Sequence, residues 1–161
     1  MSIGKKILPF SLMLALPFCC TINGQAQAAA APATTTAPAP SQATGKPHHV
    51  LVAVTSGDEA DWNLALGNIR NLLKGLAPDQ VDVEVVAFGG GIMLVAKPST
   101  ADADIQALMA KHVRFVACQN SMHARKLTEA DLVTGVGTVP AGIVETVLKQ
   151  EQGWTYIKGG R

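Results

Sequence analysis

An alternation of two periodicities limits what this chain can fold into. Short, valine-rich runs at HVLVAVT (49–55), VDVEVVAF (81–88) and VRFVAC (113–118) interleave with longer segments whose apolar residues stand three and four apart. An unbroken apolar run of this length, bounded by turn residues, fits a strand buried on both faces. The three-and-four spacing lays apolar side chains along one side of a helix. In ADWNLALGNIRNLLKGL that side carries Trp62, Leu66, Ile69, Leu73 and Leu76. Ser56 or Asp58 is placed to cap its start, and Glu59 stands three after Ser56, as a capping box needs.

The rest of the domain continues the alternation. ADADIQALMAKH predicts a helix through Ile105, Leu108 and Met109, with His112 at its end. LTEADLV predicts a short helix with Thr128 near its start, and IMLVAK fits a strand or a lid. Pro140 opens AGIVETVLKQEQ, where Ile143, Val144, Val147 and Leu148 form a helical stripe. Proline suits a first turn because its missing N–H would be unpaired there anyway. Gly153 stops this helix and WTYIK closes the chain as a strand. Strands joined by helix-length crossovers imply a parallel sheet covered on both faces. The expected fold is therefore α/β, a flavodoxin-like three-layer domain with a mostly parallel sheet over 48–161.

Residues ahead of that domain have a different character. Lys5 and Lys6 precede the apolar run ILPFSLMLALPF, and a small-x-small pattern ends at Ala28. This is the layout of a secretory signal peptide, residues 1–28, whose apolar run is shorter than the ~20 residues a membrane span needs. The expected location is the periplasm, with no membrane span once the signal is removed. Lipid attachment is the alternative, because Cys19 and Cys20 end the apolar run, but it requires a small residue where Phe18 stands. Residues 29–47, rich in Ala, Pro and Thr, hold no large apolar side chain and predict a disordered tether. Cleavage removes two lysines, leaving eleven basic residues against twelve acidic ones. Such a charge offers no long-range attraction for nucleic acid.

Cleavage also removes Cys19 and Cys20, leaving Cys118 as the one cysteine. An internal disulfide is then impossible, so the thiol is either a small buried hydrophobe or a reactive group. In an open parallel sheet, ligands bind where loops leave the carboxyl ends of strands. Three polar elements fall at such ends: Ser56-Gly57-Asp58, Gly89-Gly90-Gly91 and Cys118-Gln119-Asn120-Ser121. If they converge, Cys118 lies beside a glycine turn and a helix start, where unpaired N–H groups favour the thiolate. Arg125 or His123 would add positive charge. The glycine run lacks the lysine of a phosphate-binding loop, which argues against nucleotide binding.

Cys118, Met122 and His123 are soft donors that could hold Cu(I), although no CxxC, HxxxH or CxxxH spacing is present. His48 and His49 sit at the tether junction, and Asn68 and Asn71 share a helix face. The acidic residues fall on predicted helix surfaces, and no two of them form a catalytic pair.

The segments LALGNIRNLL, VEVVAFGGGI, VRFVACQNSM and TVPAGIVETVLKQEQGWTYIK, in this order, resemble the DsrE/DsrF-like sulfur-relay family, and in particular its small exported members. That resemblance covers nearly all of 49–158. It implies the same α/β fold and assembly into homo-oligomers (trimers or hexamers); no cofactor is expected. It also implies that Cys118 carries sulfur as a persulfide and exchanges it with a thiol-bearing protein partner. Gln119, Asn120 and Ser121 would then supply donors around the sulfur, with Gly89, Gly91 and Asp58 as supporting residues. Where the family commonly has Gly before the third strand, this chain has His112, and Gly-Gly-Gly replaces the usual Gly-Pro-Gly. Two alternatives remain beside the sulfur carrier: an oligomeric binding or scaffold module with a structural Cys118, and a Cu(I)-binding protein.

Overall fold

A computed structural model describes residue 45 and residues 47–161. The expected signal peptide and nearly all of the expected tether lie outside the described residues. Five strands form one sheet: β1 (His48–Val54), β2 (Val81–Ala87), β3 (Arg114–Cys118), β4 (Gly137–Val139) and β5 (Thr155–Gly159). Their order is β4-β3-β2-β1-β5 and every pairing is parallel. The helices are α1 (Glu59–Gly75), α2 (Asp102–Met109), α3 (Gln119–Ala124) and α4 (Gly142–Glu151).

Alternate residues of the central strands point to opposite faces, and each face has its own core. On one, Val50, Val52 and Val54 of β1, with Val83 and Val85 of β2, pack with Phe115 of β3. Over them lie Trp62, Leu66 and Ile69 of α1, Ile105 and Leu108 of α2, and Met122 of α3. Burying each large side chain here contributes roughly 1.5–3 kcal/mol. The other face is thinner, with Leu51, Val86 and Val116 backed by Phe88, Val139 and Trp154.

Chain direction explains this division. From β1 to β4 the strands step one way across the sheet, and right-handed crossovers keep their helices on one face. The last crossover runs back from β4 to β5 on the far side of β1, so the same handedness puts α4 on the opposite face.

Several local readings change in the structure. β4 has three residues, too few to show a pattern in the sequence, and exists because it pairs with β3 at Val116, Ala117 and Cys118. A helix starts directly after Cys118, while the predicted LTEADLV helix is a single 3₁₀ turn, Glu129–Asp131. The first half of IMLVAK ends a 3₁₀ turn, Gly89–Leu94, and an antiparallel bridge from Ala96 to Leu132 follows. The Ser56–Glu59 capping box does not form. Asp58 caps α1 by accepting the Ala60 N–H at 2.9 Å, and Ser56 Oγ accepts the Asp58 N–H at 3.1 Å. A capping box does close the Glu129 turn, between Thr128 and Asp131.

Two differences reach further. The α4 stripe points away from its own sheet: Ile143, Val144, Val147 and Leu148 are 45–60% exposed. Gly142, Thr146 and Lys149 are buried instead. The second is Glu84, which lies mid-strand and fully buried rather than on a helix surface. Its carboxylate pairs with Arg114 and, at 3.1 Å, with Lys149, whose ammonium also sits 4.2 Å above the Trp154 ring. Such a pair is strongly destabilising to break, because the remaining charge is buried alone.

Candidate functional site: a thiol between two helix starts

β3 and β4 are neighbours whose following helices go to opposite faces. This is a topological switch point, the place where an open sheet leaves a crevice at its carboxyl edge. Cys118 is the last residue of β3, paired with Val139 of β4. Its side chain lies on the α4 side and is 4% exposed. Burial pushes the thiol up, while the Ser121 hydroxyl and the backbone N–H groups of Gly142, Ser121 and Asn120 pull it down by favouring the anion. These donors prevail and hold Cys118 below the ordinary thiol range. The N–H groups come from the first turns of α3 and α4, where no intrahelical acceptor exists for them.

The glycine turn supports this arrangement. Gly89 N–H donates to Ser121 Oγ at 2.8 Å, which holds in place the hydroxyl that lowers the Cys118 thiol. Gly91 N–H donates to the Thr55 carbonyl at 2.9 Å, and a Cβ at Gly91 would overlap the Val54 carbonyl. The turn therefore lies directly on the end of β1. Asn120 N–H also reaches the Pro140 carbonyl at 3.4 Å, tying α3 to the loop before α4.

Behind the turn, the β1–α1 loop is held by Asp61. Its Oδ1 accepts from the backbone N–H and Nε of Arg161, both at 3.1 Å. The Ser56 hydroxyl and the two Arg161 donors lower the Asp61 carboxyl from 3.8 to about 2, against a smaller opposing effect of burial.

The structure sorts the sequence candidates. Cys118, Asn120 and Ser121 stand together in the candidate site, and the Asn120 side chain is exposed. Gly89 and Gly91 are its support. Gln119 turns away, its Nε2 3.2 Å from Thr138 Oγ1 on β4. Asp58 is a helix cap, paired with Arg161 at 3.6 Å, and has no contact with the sulfur. His123 and Arg125 are exposed, and Arg125 borders a shallow hollow with Gly89, Asn120, Ser121 and Ala124. The soft-metal set is not assembled, because Met122 is in the core of the opposite face while Cys118 faces α4. Among the described residues, no group of three or more His, Cys, Asp and Glu side chains could hold a metal ion.

Sequence reasoning missed Gly142 and Phe88. The signal available for Gly142 was the VPAG segment, singled out above as part of a resemblance but given no chemical role. Among the described residues no helix is long and apolar enough to cross a membrane.

Comparison with known proteins places the chain. The model of the DsrE/DsrF-like family matches residues 48–158. The chain belongs to the DsrE/DsrF-like family. A solved structure from Methanobacterium thermoautotrophicum, the protein of unknown function MTH1491, is 33% identical with a TM-score of 0.66. The match covers 69% of this chain and 98% of that one. The ychN protein from E. coli matches at 14% identity and a TM-score of 0.53, covering 68% of this chain and 98% of its own, which shows a shared fold. No curated protein matches the chain. Membership of the family brings a sulfur-relay-related role into view, and the fold agrees with that of both solved structures.

Proposed function

We propose that this protein is an exported, homo-oligomeric sulfur carrier that holds sulfur as a persulfide on Cys118. The observation that carries the reading is the position of Cys118 at the end of β3, between the starts of α3 and α4, where the Ser121 hydroxyl and nearby N–H donors hold its thiol below the ordinary range. A purely structural cysteine needs none of them, whereas a thiolate, and the terminal sulfur anion of a persulfide, needs a pocket of donors. The thiolate attacks the outer sulfur of a sulfane-sulfur donor, a polysulfide or a protein persulfide. One S–S bond forms at Cys118 as the donor's S–S bond breaks; a protein persulfide leaves as its thiolate, a polysulfide as the anion one sulfur shorter. An acceptor thiolate then attacks the outer sulfur and Cys118 is released as thiolate, so the exchange needs no oxidant or reductant. This is carriage between partners, not turnover of a small substrate. The outward stripe on α4 supports the oligomeric part of the proposal, and the signal-like segment 1–28 supports export.

The test is intact-mass spectrometry before and after incubation with polysulfide. A reducible gain of one sulfur atom, absent in Cys118→Ser, is the expected result. The 4% exposure of Cys118 favours the second reading, an oligomeric scaffold with a structural thiol. No mass gain, together with a thiol that resists alkylation until the protein unfolds, would overturn the carrier reading in favour of the scaffold.

A further inference from the structure

We propose that the buried Glu84–Lys149 ion pair is a rotational lock on α4: it holds the helix with its polar side on the sheet and its apolar side outward, against the hydrophobic effect. Gly142, Thr146 and Lys149 are the buried residues of α4, while Ile143, Val144, Val147 and Leu148 are exposed. At about 100° per residue these two sets lie on roughly opposite sides of the helix. A surface helix ordinarily turns its apolar stripe to the core, so α4 is mounted against the pattern of its own residues. An attraction from the interior is needed to keep the polar side in.

Glu84 supplies that attraction. It stands mid-strand in β2, two residues before Val86 and fully buried on the face that α4 covers. Lys149 Nζ reaches its Oε2 at 3.1 Å, and Arg114 pairs with the same oxygen. Oε1 has no hydrogen-bond partner among the described residues, and Arg114 keeps most of its side chain in solvent. Lys149 is therefore the buried half of the compensation. Its ammonium is held further by Glu145 at 3.7 Å and by the Trp154 ring at 4.2 Å. Turning α4 to bury its stripe would carry Lys149 away from Glu84 and leave a buried carboxylate under-compensated, which is strongly destabilising. Gly142 and Thr146 permit the arrangement without driving it. Their small side chains let α4 lie close to the sheet, where a Cβ at 142 would stand 2.8 Å from Phe88 Cβ.

The lock is independent of sulfur carriage and of whether copies assemble, because it acts within one chain. Its test replaces both charges by apolar side chains of similar length, Glu84→Met together with Lys149→Met, which removes the pair without leaving a lone buried charge. Methyl NOEs then read which side of α4 meets the sheet. In the wild type, the Val144 and Val147 methyls are expected to show no NOE to Leu51 or Val86 of the same chain. In the double variant these NOEs are expected to appear, as the stripe turns inward. A folded double variant that keeps the wild-type contacts would overturn the proposal, as would such NOEs in the wild type. Should the double variant unfold, or α4 detach from the sheet, Val144→Ser and Val147→Ser are added to remove the apolar pull. Recovery of the fold with α4 facing as in the wild type supports the lock. A chain that stays unfolded, or an α4 that stays detached, shows that the pair contributes stability alone and overturns it.

Discussion

At the scale of single residues, the chemistry depends on where backbone donors end up. Cys118 was visible in the sequence as a lone thiol ending an apolar strand, because strand ends are marked by a change from apolar to polar residues. Ser121 and Asn120 were within reach because they follow it directly. Gly142 was not, since the order of residues does not say that β4 brings the start of α4 beside Cys118. His112 shows what a residue-level departure from the family costs. Its φ is 65°, the left-handed region that glycine enters freely and a side chain does not. Its N–H closes the end of α2 on the Met109 carbonyl, and that of Val113 reaches Leu108. His112→Gly is therefore expected to stabilise the protein by about 1 kcal/mol. A shift of the denaturant midpoint to higher concentration checks this, and an unchanged or lower midpoint contradicts it.

At the scale of elements, strands and amphipathic helices were legible wherever an element buries its own apolar side. α1 and α2 do so: of the residues named from the spacing, Trp62, Leu66, Ile69, Ile105 and Leu108 are buried, while Leu73, Leu76 and Met109 are half-buried. Helix ends were less legible, because several polar residues compete to cap them: Ser56 was as good a candidate as Asp58, and the structure uses both in different roles. The start of α1 also carries a pH-dependent contribution. Asp61 is lowered to about 2 by Ser56 and Arg161, so the folded state holds its carboxylate more strongly than the unfolded chain. A depressed carboxyl stabilises the fold above the ordinary carboxylate range, and that stabilisation is lost as pH falls from about 4 towards 2. Unfolding free energy measured across this window is expected to fall less steeply in Asp61→Asn than in the wild type. Parallel curves would show that Asp61 is not bound in this way.

At the scale of the whole molecule, the return crossover from β4 to β5 decides most of what matters. It sends α4 to the sparsely covered face, opens the crevice between β3 and β4, and brings a second helix start to Cys118. It also leaves the α4 stripe outward. Apolar residues at helical spacing ordinarily mark the buried side, and here the buried side is Gly142, Thr146 and Lys149. Four apolar side chains turned to solvent are costly in a monomer and are natural at an interface between copies. Val147→Glu places a charge in the middle of this stripe; in light scattering the wild type is expected to be an oligomer and this variant a monomer. A wild-type protein that is already monomeric would remove the oligomeric part of the proposed function.

The α/β class, the parallel sheet and the strand-end position of Cys118 are contained in the order of the residues, because they follow from local periodicity and from the connection lengths between strands. Three-dimensional packing is needed to say which side of α4 faces inward, that Glu84 is a buried partner of Arg114 and Lys149, and that the starts of α3 and α4 flank Cys118. Each of these depends on residues far apart in the chain meeting across the sheet. Apolar periodicity identifies the apolar side of a helix, but it cannot say whether that side is covered by the chain's own core or by another molecule.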